Sequence, residues 1–281
     1  MLRTLEEPRD AQENHVLFDR LSALDIAAFV VDGVDLSPGA AIPSDGDPRI
    51  DRALAGFLFT CGPDHIRHPE AIEGGAEGAR YPLHGSLAGS AVSHTEMASD
   101  GTACTATIAV ALADGGQARI ERRWRIDAGR HEVVLEDRVV NAGTSAFPPM
   151  MMYHLNIGGR LLGTDTRIVS TSLEGGECAW RFGNGESAHF CLPATTGADG
   201  WSDVTLAGLA GLGGRNLQVR FRADTLPFLQ MWRCQRGEAD VISIEPVSHR
   251  IARRPDLAAA EELIPLLPGD ARDYAIAFSV L

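Results

Sequence analysis

Arg119-Ile120-Glu121-Arg122-Arg123-Trp124-Arg125-Ile126 sets Ile120, Trp124 and Ile126 at even positions among charged neighbours. Successive side chains of a β-strand point to opposite faces, so a period of two predicts a strand with one face on a core and the other in solvent. The charges of this stretch read as the solvated face of a sheet. On either side, residues 105–112 and 132–140 repeat the alternation, and Gly115-Gly116 and Ala128-Gly129 lie between the three runs. Such a series predicts antiparallel strands joined by hairpins.

The same grammar extends in both directions. Leu24, Ile26, Phe29, Val30 and Val31 lead to Asp32-Gly33, a strand and tight turn before a second strand. Residues 54–61 form an apolar strand candidate, and 166–172, 188–192, 217–221, 226–233, 242–245 and 274–280 are further ones. Glycine-bearing connections are expected at 197–201 and 208–215. Residues 40–52 read as a surface loop and 62–80 as a long polar loop, a type of segment that is often functional. Helical periodicity is confined to 255–262. The predicted fold is all-β: one large antiparallel β-sandwich spanning residues 1–281 as a single domain, with 1–20 as a peripheral N-terminal segment.

Composition narrows the function. The 281 residues carry a formal net charge of −13, mixed along the chain, which argues against a nucleic-acid partner and against an anionic membrane surface. No apolar run approaches the roughly 20 residues of a spanning helix, and residues 1–14 are charged, so a cytoplasmic location is expected. Five dispersed cysteines without a C-x-x-C pair read as small buried hydrophobes.

Chemistry-bearing residues stand out against this apolar background. In Pro148-Pro149-Met150-Met151-Met152-Tyr153-His154-Leu155-Asn156, two prolines precede a short strand and Gly158-Gly159 ends it, so His154 lies on a largely buried strand. A core histidine bonded to backbone is the competing reading. Ile242-Ser243-Ile244-Glu245-Pro246 puts a carboxylate on a second buried strand, and an acid and a base candidate together are the minimal kit for proton transfer. His84 follows a proline turn and precedes Gly85. Trp232 beside Arg233 suits core packing or the apolar face and hydroxyls of a sugar. His65, His68, His94, His131 and His189 read as structural or surface residues.

Taken in order, Arg80…His84-Gly85, Tyr153-His154-Leu155-Asn156, Ile244-Glu245-Pro246 and Leu267-Pro268-Gly269-Asp270 resemble the aldose 1-epimerase (galactose mutarotase-like) superfamily. Leu24-Asp25-Ile26, Phe59-Thr60-Cys61-Gly62, Leu83-His84-Gly85 and Phe228-Leu229-Gln230-Met231-Trp232 resemble an uncharacterised branch of aldose-epimerase-like proteins. The resemblance implies a supersandwich with a monosaccharide cleft and an isomerase that opens and recloses the sugar ring. By position it implies Glu245 as base, His154 as acid, and His84 with Arg80 as the sugar-binding pair; Arg233 is added as a substitute substrate contact beside Trp232. A further sugar-contacting aspartate corresponds to Asp224 or Asp240, a choice left open. The expected partner is a small-molecule sugar or sugar acid; the oligomeric state, a homodimer included, stays open. No cofactor and no metal is needed for proton shuttling. Two alternatives are a carbohydrate-binding protein without catalysis, and a metal-dependent sugar isomerase or lyase with His84, His154, Glu245 and His249 as ligands.

Overall fold

The alternation at 119–126 becomes burial in a computed structural model that describes residues 1–4, 14–44, 46–92 and 94–281. The strand Gln117–Asp127 turns Ala118, Ile120 and Trp124 inward and leaves Gln117 and Arg123 in solvent. It pairs antiparallel with Ala103–Ala111 on one side and Glu132–Asn141 on the other. Among the described residues its sheet holds nine strands, in the order Glu177–Ala179, Arg167–Val169, Trp201–Leu209, Arg215–Arg222, Ala271–Val280, Glu132–Asn141, Gln117–Asp127, Ala103–Ala111 and Thr95–Met97.

The facing sheet runs Leu2–Thr4, His15–Asp19, Asp25–Val31, Leu58–Cys61, Met152–Gly158, Val241–Val247, Phe228–Cys234 and Ser187–Pro193, with Val34–Asp35 hairpinned onto Asp25–Val31. That hairpin turns at Asp32-Gly33, where φ is 49° and 76°, the left-handed pair a two-residue turn requires. One hydrophobic cluster fills the space between the sheets, with Phe29, Phe57 and Phe278 ring centroids 5.0–5.2 Å apart. No helix among the described residues is long and apolar enough to cross a membrane.

Several expectations are corrected. The described parts of residues 1–20 are not peripheral: Leu2–Thr4 and His15–Asp19 are paired strands, in parallel, and Leu2, Val16, Leu17 and Phe18 are buried. Residues 5–13 lie outside the described residues. The second difference is in the supposed surface loop at 40–52, which contains the short helix Asp51–Leu54 with Ala53 and Leu54 packed inward. Between the two glycine-bearing connections runs a nine-residue strand, Trp201–Leu209. The helix near the C-terminus is Arg254–Ala259.

The last correction concerns Arg122. It shares the phase of Ile120 and Trp124, and its guanidinium is fully buried between the sheets. Nη1 donates to Asp25 Oδ1 at 2.7 Å and to the Ala23 carbonyl; Nε and Nη2 donate to Asp137 at 2.9 and 2.7 Å; Nη2 also reaches Thr60 Oγ1 at 2.9 Å. Tyr153 Oη donates to Asp137 Oδ2 at 2.9 Å. Burial works against the charge on Arg122, but the two carboxylates outweigh it and hold the guanidinium protonated. Asp25, Thr60 and Tyr153 come from one sheet, Arg122 and Asp137 from the other, so the ion network ties the two layers together.

Candidate active site

Strand parity decides which side chains leave the core. In Met152–Gly158, Tyr153, Leu155 and Ile157 enter the inter-sheet cluster, so Met152, His154 and Asn156 point to the opposite face. In Val241–Val247, Ile242 and Ile244 face the core while Ser243 and Glu245 face away; in Phe228–Cys234, Leu229 and Met231 face the core while Gln230 and Trp232 face away. Register then sets the neighbours. Met152 pairs with Val247 and Leu155 with Ile244, which brings His154 opposite Glu245, and Glu245 pairs directly with Gln230 on its other side. Three polar side chains thus stand in a row across three central strands.

They floor a cavity of about 250 Å³ walled by Ile42, Pro43, Leu54, Ile66, Arg67, His68, His84, His189 and Ile251. Its size suits one small polar ligand, near the lower end of ligand pockets at about 300 Å³. Loop 62–69 and the turn at His84 form one wall. His84 N–H donates to the Arg67 carbonyl and Gly62 N–H to the His84 carbonyl, each at 2.9 Å. His84 has φ 58° and Gly85 φ 85°. A Cβ at Gly85 would collide with the carbonyl oxygens of His65 and Gly62, so only glycine lets the turn approach this closely. The His84 ring packs edge-on against Phe59 at 5.5 Å and lies 6.1 Å from the His154 ring; Trp232 meets His154 edge-on at 5.9 Å.

Glu245 is 1% exposed. Its Oε2 accepts a hydrogen bond from Gln230 Nε2. Oε1 lies 3.1 Å from His154 Nε2, within ion-pair distance, yet no donor is aligned on it as a hydrogen bond. Gln230 is fixed in turn by Arg67, whose Nη1 donates to Gln230 Oε1 at 2.8 Å and whose Nη2 donates to the His249 carbonyl at 3.0 Å. Burial pushes the Glu245 carboxyl up to about 7, against the Gln230 hydrogen bond and the positive fields of His84 and Arg67. A carboxyl with that proton affinity can both take and return a proton near neutrality. On the other side, His154 Nδ1 is 2.6 Å from Asn156 Oδ1.

The cleft brings together His84, His154, Trp232 and Glu245 from the residues singled out in sequence. It does not contain Arg80 or Arg233. Arg80 is exposed, its Nη2 donating to the Pro69 carbonyl at 2.7 Å, and it borders a separate depression with Arg49 and Tyr81. Arg233 sits on the opposite face of its strand from Trp232; Nε and Nη2 donate to the Phe182 and Gly185 carbonyls and Nη1 to Gln235 Oε1. Neither open aspartate reaches the site: Asp224 pairs with Arg222 on the surface, and Asp240 packs against Gly159. His249 is turned away, its Nδ1 on Ser248 Oγ at 2.7 Å and its Nε2 on the Glu262 carbonyl at 3.2 Å. It therefore does not join His84, His154 and Glu245 as a ligand set, and no group of three or more His, Cys, Asp or Glu among the described residues is arranged to hold a metal ion.

Sequence reasoning missed Arg67, Gln230, His68 and His189. Gln230 carried a readable signal, a polar residue in phase with Trp232 on an otherwise apolar strand. His68 and His189, read as structural or surface residues, line the cleft instead. His65 keeps a structural place: its ring is stacked on Tyr81 at 5.5 Å, with Nε2 2.7 Å from the His68 carbonyl, and burial holds it towards the neutral form.

The two large, mostly antiparallel sheets packed face to face give the chain a galactose mutarotase-like sandwich fold. Among solved structures, the chain is similar to a provisionally assigned aldose 1-epimerase from Klebsiella pneumoniae, with a TM-score of 0.76 and 14% identity over 94% of this chain and 76% of that one. It is also similar to a galactose mutarotase-like protein from Lactobacillus casei, with a TM-score of 0.66 and 13% identity over 93% and 95% of the two chains. A provisionally assigned aldose 1-epimerase from Escherichia coli aligns with a TM-score of 0.62 and 15% identity over 92% and 93%. At these identities the likeness concerns the fold. No curated protein matches the sequence. Residues 13–178 match the family described as Domain of unknown function (DUF4432), and the chain belongs to that family.

Proposed function

We propose that this protein is a mutarotase-like isomerase that interconverts the anomers of an aldose or an aldose derivative by acid–base catalysis. The observation that carries the reading is the 3.1 Å approach of His154 Nε2 to Glu245 Oε1 on the floor of a monosaccharide-sized cleft. Glu245 takes the proton of the anomeric hydroxyl while His154 delivers one to the ring oxygen. The C1–O5 bond breaks, C1 becomes an aldehyde carbon, and the open chain rotates about C1–C2. Reversal of both transfers recloses the ring on either face, so protons balance and this chemistry calls on no cofactor. Trp232 supplies an apolar wall for a sugar face, and His84 a hydroxyl partner.

The test is proton exchange NMR on freshly dissolved aldoses and uronates. Faster exchange between α and β signals for one sugar, lost in Glu245→Gln, is the expected result. Saturation transfer to a sugar without any acceleration of exchange would overturn the reading in favour of a carbohydrate-binding protein.

A further inference from the structure

The partners of Asn156 point to a role beyond filling space. Its side chain is fully buried, two residues after His154 on the same face of the same strand. Nδ2 lies 3.0 Å from the Leu54 carbonyl oxygen and also faces the Gly56 carbonyl oxygen at 3.5 Å. A flipped amide would set its own oxygen against those two acceptors, so the two carbonyls fix which way the amide points. Ser243 Oγ, on the neighbouring strand, donates to Asn156 Oδ1 at 2.7 Å. Oδ1 is therefore an acceptor held in place from two sides, and it faces His154 Nδ1 at 2.6 Å. An amide oxygen cannot donate, so the hydrogen in that contact belongs to the imidazole.

We infer that Asn156, fixed by the Leu54 carbonyl and Ser243, is a positioning residue that keeps His154 protonated on Nδ1, so that the proton exchanged in the cleft is always the one on Nε2. His154 and Glu245 then share one mobile proton, carried either on Nε2 or on the Glu245 carboxyl. The imidazole is either the cation beside a carboxylate or the neutral Nδ1–H form beside a carboxylic acid. The Nε2–H neutral tautomer, whose Nδ1 lone pair would oppose the Asn156 oxygen, is excluded. The catalytic consequence rests on the acid role proposed for His154; the tautomer itself does not.

Two-bond proton–nitrogen NMR on the full chain with labelled histidine tests this directly, the His154 signals being assigned by their loss in His154→Gln. A protonated, pyrrole-type Nδ1 in the wild type, lost in Asn156→Leu and kept in Asn156→Asp, is the expected result. Asn156→Ala repeats the comparison should the leucine variant fail to fold. An unprotonated, pyridine-type Nδ1 in the wild type, or an unchanged tautomer in both Asn156→Leu and Asn156→Ala, would overturn the inference. In the exchange assay Asn156→Leu should lower kcat roughly a hundredfold with KM little changed, while Asn156→Asp recovers most of the rate. A wild type without anomer exchange but with a pyrrole-type Nδ1 would sink the proposed reaction and leave the tautomer lock standing.

Discussion

His154 Nε2 stands 3.1 Å from Glu245 Oε1 across two adjacent strands whose pairing register puts the two residues opposite each other. Neither group needs a loop to bring it there, so each can be altered without remodelling the wall of the cleft. Glu245→Gln and His154→Gln are each expected to slow anomer exchange by about 10²- to 10⁴-fold, the usual worth of a positioned acid or base. Circular dichroism should report an unchanged fold. Wild-type rates from either variant would remove the role given to that residue.

Glu245 also ties stability to pH. Its folded-state carboxyl is raised to about 7 from an ordinary 4.5. The folded protein therefore binds more protons than the unfolded chain between those values, and stability falls as pH rises through that window. The stabilising share is fully present below about pH 4.5 and is lost above pH 7, where the buried charge costs on the order of 3 kcal/mol. Glu245→Gln removes the charge. Relative to wild type, its Tm should gain more at pH 8 than at pH 5. Equal differences at both values would mean that Glu245 ionises in the folded protein as it does in solvent.

Arg67 lowers the proton affinity of Glu245 through its charge and fixes Gln230, the donor on Glu245 Oε2. Arg67→Met removes both effects, so the carboxyl should hold its proton to higher pH. The rising limb of the pH profile of kcat/KM, which reports the His154–Glu245 pair as a unit, is expected to move to more alkaline pH. Gln230→Leu should move it the same way. An unmoved limb in both variants would assign the titration to another group.

Where local pattern and tertiary placement agree, the sequence was a sufficient guide. The runs at 105–112, 119–126 and 132–140 became neighbouring strands because alternation needs no distant partner to be read. His154 and Glu245 were visible for a related reason, as ionisable residues on apolar strands, where they require an explanation. Arg67 could not be found this way: it lies on an irregular loop, and its contacts with Gln230 and His249 span 163 and 182 residues of sequence. Arg80 is named by the family resemblance, yet its side chain turns outward to the Pro69 carbonyl. Arg233 was placed by adjacency to Trp232, although neighbouring residues on a strand face opposite ways. Arg122 failed for the opposite reason. Its phase with Ile120 and Trp124 was plain, but a charge in an inward position is credible only once Asp25 and Asp137 are known to meet it.

That network yields the sharpest stability contrast. Arg122 is buried with both carboxylates, and Asp25 is already pushed towards protonation by burial despite the guanidinium beside it. Arg122→Met leaves two carboxyl groups between the sheets without their cation, and breaking a buried pair from one side costs about 3–5 kcal/mol. Arg138→Met breaks a pair with Asp273 that is more than half exposed on both sides, where the expected loss is about 0–1 kcal/mol. Urea unfolding at neutral pH measures both. Some of the Arg122→Met deficit should return at acidic pH, as Asp25, which burial already pushes towards protonation, binds a proton, and the double change of Asp25→Asn with Arg122→Met should be less damaging than Arg122→Met alone. Equal losses for Arg122→Met and Arg138→Met would mean that the inter-sheet network contributes no more than a surface pair.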